Sequence, residues 1–362
     1  MRSKIVFIII IIIGLIIGSL LGRLYFDFKN KNLGASVSAT VEVENKKEVD
    51  STNTNQLSNP NQSASLIFVG DIMLSRSVQK QIERNGNDYS FPFASSSEFL
   101  KSSDFTFGNL EGPISNQGKD QGSIYSFRSN PRVVEGLISA GFDVVSLANN
   151  HIWDWGKEAL KDTINILKNN KIMPVGVGIN YQDANNEKVL VIDNKETGEK
   201  TRISFLAFTN LYPKSLIATE DSPGISNFDI ENIKNQISKI KEERSADLVV
   251  ISVHWGEEYQ PQSNSLQQSI AHQLINAGAD IIIGHHPHVI QEVEQYKGKW
   301  IFYSLGNFIF DQNFSKETME GLVARVVLVG DTMEKVDFYK SKLNRQYQIE
   351  SIEPIKPTLI AN

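Results

Sequence analysis

No cysteine occurs among the 362 residues, which excludes disulfides and lipid attachment at an N-terminal lipobox. Basic runs are lacking as well. With 36 Lys and Arg against 42 Asp and Glu, the formal net charge is -6. A chain without clustered cations to neutralise phosphates is not expected to bind nucleic acid. No internal repeat or coiled-coil heptad is present, and the 40% apolar content is enough for one large domain or two. Histidine is scarce, with six copies.

The first long feature is apolar. From Ile5 to Gly22 the chain has no charge and is dominated by isoleucine, and eighteen helical residues cover roughly 27 Å of bilayer. Arg2 and Lys4 precede it, while Arg23, Lys29 and Lys31 follow, so the flanking charges give no clean orientation. Gly18, Ser19 and Gly22 offer only a weak cleavage site. Residues 1–4 are therefore expected in the cytoplasm, 5–22 as an uncleaved transmembrane signal-anchor and 23–64 as a flexible polar stalk, because that stretch has too little apolar surface to fold. A folded domain over 65–356, held outside the cell by a single-pass anchor, completes this expectation.

After Ser65 short apolar strands alternate with helices, the pattern of an α/β domain. Strand-like runs cover 66–69, 105–107, 144–147, 203–208, 248–253, 281–283 and 301–303. Helices are expected from Asn130-Pro131 to about Ala140, from Gly156 to Asn169, from Ile230 to Glu243 and from Ser265 to Ala277, with Gly141 and Gly278 at C-cap positions. From Glu320 onward the helices stop, Gly330-Asp331 marks a hairpin, and the tail is expected to complete a second sheet.

Five of the six histidines fall in three segments that each follow a strand: Asn149-Asn150-His151, Val253-His254-Trp255-Gly256 and Gly284-His285-His286-Pro287-His288. Asp71 and Glu111 end two further strands. A lone loop histidine is more often simply hydrogen-bonded, but five clustered after strands point to placement. Open α/β sheets carry their sites in the loops beyond the strand ends. Imidazole and carboxylate suit zinc, iron or manganese, and asparagine can add a carbonyl oxygen. In an extended segment His286 and His288 would leave the same face.

Taken in order, Val69-Gly70-Asp71-Ile72-Met73, Gly108-Asn109-Leu110-Glu111, Ala148-Asn149-Asn150-His151, Val253-His254-Trp255-Gly256, Gly284-His285-His286-Pro287-His288 and Tyr303-Ser304-Leu305-Gly306-Asn307-Phe308 closely resemble the motifs of the CapA family of poly-γ-glutamate capsule biosynthesis proteins. The resemblance runs from about Ser65 to about Asp311. It implies kinship with the calcineurin-like metallophosphoesterases, and so two sheets packed as a sandwich flanked by helices, here preceded by one transmembrane helix. Position by position it implies metal ligands at Asp71, Asn150, His254, His286 and His288, with Asn109 and Glu111 standing where the phosphoesterases have a Gly-Asp motif. It implies catalytic roles for His151, as the acid, and Asp71. Met73 replaces a ligand histidine, so the resemblance supports one divalent site and weakens a second. Met73 is expected at the pocket's edge, and a nitrogen of His254 within about 5 Å of His286 or His288.

Arg128 and Asn307 are candidate substrate contacts, beside the alternatives of a solvated helix start for Arg128 and a turn role for Asn307. Trp153, Trp155 and Trp255 wall the pocket or pack the core, and His272, mid-helix and outside every motif, reads as structural. The family implies synthesis or export of poly-γ-glutamate or a related capsule polymer beside membrane-embedded synthase and export subunits. Because the chain is itself acidic, an anionic polymer would be repelled unless cations or a basic patch intervene. Two alternatives stand beside this: a metal-dependent phosphoesterase or amidase acting on an envelope polymer, and a non-catalytic scaffold of the synthase complex.

Overall fold

The computed structural model describes residues 63–193 and 200–360. The expectation of a transmembrane helix is corrected here, because no helix among the described residues is long and apolar enough to cross a membrane. Segments 1–4, 5–22 and 23–62 lie outside the described residues. The single-pass placement, with the N-terminus in the cytoplasm and the domain outside, rested on that helix and is withdrawn with it.

Two mixed sheets make the frame. The first joins parallel strands β1 (Ser63–Ile72), β2 (Phe105–Leu110), β3 (Val144–Ser146) and β4 (Met173–Val175). A two-stranded ribbon, β5 (Val177–Gly178) with β8 (Gly224–Ile225), stands apart. The second sheet contains β6 (Lys188–Asp193), β7 (Lys200–Thr209), β9 (Leu248–His254), β10 (Ile281–His285), β11 (Val293–Tyr296) and β12 (Lys299–Phe302). Returning to the first sheet, β13 (Asn307–Ile309) pairs with the end of β1, and β14 (Glu320–Val329), β15 (Thr332–Leu343) and β16 (Ile349–Pro354) extend it beyond β1. Only the short β17 (Leu359–Ile360) joins the second sheet, against β11. The tail therefore widens the first sheet. Alternation marks those residues as strands, but it does not say which open edge they pair with. The Gly330-Asp331 hairpin forms as expected, with Gly330 at φ 60° and Val329 opposite Thr332.

Side-chain alternation makes the layers. Leu66, Phe68, Phe105 and Phe107 point inward and meet Ile203, Phe205, Val250, Ile281 and Ile283 of the second sheet in one core cluster. Phe107 stacks on Phe205 at 5.8 Å. Ile67 and Val69 face outward into a second cluster that takes residues from α1 (Arg76–Arg84), α2 (Val133–Ala140) and α3 (Gly156–Asn169). On the far side, Leu206, Phe208, Val249 and Ile251 pack with α4 (Ile230–Glu243) and α5 (Ser265–Asn276). Central strands buried on both faces explain the near-continuous apolar runs of the sequence. Helix starts are fixed locally: Asp229 accepts from Asn232 N at the head of α4, and Asn264 and Gln267 form a capping box on α5.

Register then aligns the strand ends. Asp71 sits beside Asn109 on one side and Asn307 on the other, while His254 sits beside His285.

Candidate metal centre

At this edge of the sandwich the first sheet delivers Asp71, Asn109, Glu111, Asn150 and His151, and the second delivers His254, Glu258, His285, His286 and His288. Asp71 is fully buried, and its Oδ1 accepts from Asn109 Nδ2 at 2.8 Å while its Oδ2 accepts from the backbone N–H of His286 at 3.2 Å. Two imidazoles flank it, with His285 Nδ1 at 3.2 Å and His288 Nδ1 at 3.3 Å. Asn109 is held in turn by Asn149, whose side-chain amide donates to its Oδ1 at 3.1 Å. His254 Nε2 lies 2.9 Å from Asn150 Oδ1, and since that oxygen can only accept, the ring carries its proton on Nε2. The ring centroids of His254 and His286 are 4.9 Å apart, and those of His286 and His288 are 5.8 Å apart.

The His286-Pro287-His288 segment is not extended. His286 has φ 97° and His288 φ 57°, both in the left-handed region that non-glycine residues rarely adopt. A bend, rather than strand alternation, turns the two rings together, and backbone held this way costs on the order of 1–3 kcal/mol per residue and concentrates at functional sites. His288 Nδ1 also contacts Asn307 Oδ1 at 3.0 Å, so its Nε2 is the nitrogen left facing Glu111 Oε1 at 3.7 Å. Asn307 spends its amide N–H groups on Gln312 Oε1 and the Thr318 carbonyl. It thereby fixes the His288 ring from behind and does not present itself to a substrate.

Several buried polar atoms have no hydrogen-bond partner, among them Glu111 Oε1, His286 Nδ1 and His285 Nε2. Unmet hydrogen-bonding capacity in a buried site is costly unless something satisfies it. Two ligand sets lie with their atoms within 4.8 Å of one another, one comprising Asp71, Glu111 and His288, the other Glu258, His286 and His288. Orphaned carboxylate and imidazole atoms in such sets fit a divalent cation of the zinc, iron or manganese kind.

Electrostatics agree with that fit. Burial pushes the Asp71 carboxyl up, but His285 and His288 outweigh it and hold it well below the usual range. Glu111 is pushed well above its usual value, first by burial. Burial, reinforced by His286, takes His254 well below the ordinary histidine value, and burial takes His286 down to about 3. His288 goes the other way: burial opposes its charge, yet Glu111 and Asp71 raise it to about 9. The cluster thus holds a proton on His288 between two carboxylates, where a cation's charge belongs.

His151 stands at the mouth. Its Nδ1 is 2.7 Å from Asp154 Oδ2, its Nε2 is 3.9 Å from Glu111 Oε1, and its ring stacks on Phe127 at 3.9 Å. Together with His288, Glu258 and Arg76 it lines a cavity of about 210 Å³. A larger cavity of about 790 Å³ shares Tyr259 and Phe314 with it but holds none of the histidines.

Other expected positions fall elsewhere. Arg128 lies with its guanidinium carbon 3.4 Å from the Trp155 ring centroid and does not line the smaller cavity. The arginine that does is Arg76, paired with Asp311 at 3.3 Å. Met73 is fully buried in the outer apolar cluster, with its sulfur accepting from the Ser75 hydroxyl at 3.0 Å, and it does not border that cavity. Trp255 packs in the core and donates to the Tyr303 carbonyl. His272 pairs with Glu294 at 2.9 Å and stacks on Tyr296, a structural arrangement.

Sequence reasoning missed Asp154, Glu258 and Arg76, and it counted His285 in the histidine cluster without naming it as a ligand. The His-x-x-Asp spacing from His151 could have flagged Asp154, but Glu258 sits in a loop and Arg76 opens a helix, and neither has a pattern to single it out.

Residues 65–312 match the family model described as "Bacterial capsule synthesis protein PGA_cap". The capsule biosynthesis protein CapA of Bacillus anthracis is 38% identical over 270 residues, covering 73% of this chain and 64% of that protein. The PGA biosynthesis protein CapA of Bacillus subtilis is 37% identical over 258 residues, covering 71% and 66%. The chain thus spans just under two thirds of the length of these relatives. A probable polyglutamine synthesis accessory protein of Mycobacterium tuberculosis is 29% identical over 238 residues, covering 62% of this chain and 60% of that one. Among solved structures, the calcineurin-like phosphoesterase YfkN of Bacillus subtilis overlaps with a TM-score of 0.40 at 16% identity, covering 82% of this chain and 90% of that one. An overlap of that size decides nothing about chemistry.

Proposed function

The chain belongs to the bacterial capsule synthesis protein family, and from that premise we propose that it acts in the synthesis or export of poly-γ-glutamate or a related capsule polymer through a divalent metal site. The observation that carries this reading is the convergence of Asp71, Glu111, His286 and His288 with buried donor atoms left unpaired. Asp71, Glu111 and His288 would hold manganese, zinc or iron, with Asn109 and Asn307 orienting them and His254 and Asn150 beside them. A divalent ion held there would polarise a phosphoryl or carbonyl oxygen and offset the repulsion between an acidic chain and an anionic polymer. Polymer synthase and export subunits are the partners this role requires. The test is metal analysis of the purified full chain, together with capsule formation by cells carrying Asp71→Asn or His288→Ala. A metal-free wild type, or variants that still support full polymer production, would sink the proposal.

One arrangement favours a second reading, a metal-dependent hydrolase of a phosphoester or amide in an envelope polymer. Asp154 Oδ2 accepts a hydrogen bond from His151 Nδ1–H and fixes the tautomer, so Nε2 faces the cavity ready to take up a proton and deliver it at a leaving group. Arg76 on the same wall can hold an anionic group. Hydrolysis of a simple phosphodiester by the manganese-supplemented chain, abolished by His151→Ala, is the expected result. No turnover with any phosphoester or amide would leave only the first reading.

A further inference from the structure

The two ligand sets share His288 but differ in depth, and the shallower one contains a residue that the motif resemblance does not assign. Asp71 and Glu111 are buried, whereas Glu258 is exposed and lines the cavity of about 210 Å³ beside His151 and His288. Its ligand atom, with one each from His286 and His288, falls within 4.8 Å of the others. His286 is buried and its Nδ1 has no hydrogen-bond partner. The loop after β9 that carries Glu258 is fastened to the bend carrying the two histidines, because the Tyr259 N–H donates to the Pro287 carbonyl at 2.8 Å. This contact joins residues from two loops into one rim.

We propose that Glu258 is a metal ligand, completing with His286 and His288 a divalent cation position on the solvent side of the buried Asp71, Glu111 and His288 set. The inference rests on the metal reading above and adds where the ion enters and what holds it there. One carboxylate and two imidazoles are a donor set for zinc, manganese or iron. Met73, with its sulfur turned to Ser75, supplies no ligand from the first loop. Glu258 supplies one from a different loop. Because His288 belongs to both sets, an ion arriving at Glu258 is already in contact with the residue that the inner position needs.

The experiment titrates the chelator-stripped full chain with Mn²⁺ or Zn²⁺ alone by calorimetry and records the visible spectrum with Co²⁺. Glu258→Gln is compared with Glu257→Gln, an exposed neighbour outside both sets. Glu258→Gln is expected to weaken affinity at least tenfold and to change the Co²⁺ absorption, with the melting temperature of the metal-free protein unchanged. Glu257→Gln should match the wild type, and Glu258→Asp, which keeps a carboxylate, should retain part of the affinity. Unchanged affinity and spectrum in Glu258→Gln overturn this inference alone. Equal weakening in both glutamine variants also overturns it, since general charge would then explain the effect. A wild type that takes up no ion overturns the metal reading and this inference with it.

Discussion

His288 is the residue on which most of the site's contacts meet, and its titration has a worked-out sign. A free histidine loses its proton near 6.5, while His288 keeps it to about 9. A raised value contributes stability that is complete below about 6.5 and is lost as pH rises through about 9. His286, depressed to about 3, acts in the opposite sense, since the unfolded chain takes up a proton there that the folded chain refuses, and stability falls as pH drops below about 6.5. The paired contribution in the metal-free protein is therefore expected to peak near pH 6.5, checked by thermal unfolding of wild type and of His286→Gln and His288→Gln across pH 5 to 9. Metal uptake at pH 7.5 should release about one proton, measurable by calorimetry in buffers of different ionisation enthalpy. Uptake without proton release would remove His288 from the ligand set. Asn307→Ala should cost roughly 10- to 100-fold in metal affinity, because it frees the ring that Asn307 orients. Asn307 was legible as a site residue, but its role was not, since only the fold shows its oxygen turned to His288.

At the scale of elements, the short loops do what regular structure cannot. Gly284 is the penultimate residue of β10, just before the histidines, and a Cβ there would lie 2.0 Å from the Tyr303 carbonyl oxygen. Gly284→Ala must push the two chain segments apart, and on the order of 3 kcal/mol of destabilisation is expected, with loss of metal binding because the bend at 286–288 moves. Calorimetric unfolding checks the first effect and metal titration the second; a variant as stable as wild type would show that the strands can separate freely. The helices at 156–169 and 230–243 coincide with those expected from periodicity, because amphipathic spacing and end residues are local signals. The conformation at His286 and His288 is not local. Positive φ there is held by burial and by partners far away in sequence.

For the whole molecule, the sandwich is the device that brings the two loop sets together. Phe107 and Phe205 stack between the sheets, and Phe107→Ala should cost about 3–5 kcal/mol. Since the same layer sets the spacing of Asp71 against His285, this variant should also weaken metal binding, which titration of the folded fraction would reveal. Residues 58–362 alone are expected to unfold in one cooperative transition, recorded by calorimetry. Starting instead at 65 removes the first two residues of β1, which pair with Val329 and Leu328. The sequence by itself determined the alternation of strands and helices, the clustering of histidines and carboxylates after strands, and the family, because periodicity and motif order are properties of neighbouring residues. Tertiary structure alone decided that the tail widens the first sheet, that Arg76 and not Arg128 reaches the cavity, that Met73 turns away, that His285 sits against Asp71 and that Glu258 joins the cluster. Each of those depends on which edge pairs with which and how a loop bends, and such contacts join residues whose separation leaves no trace in local pattern.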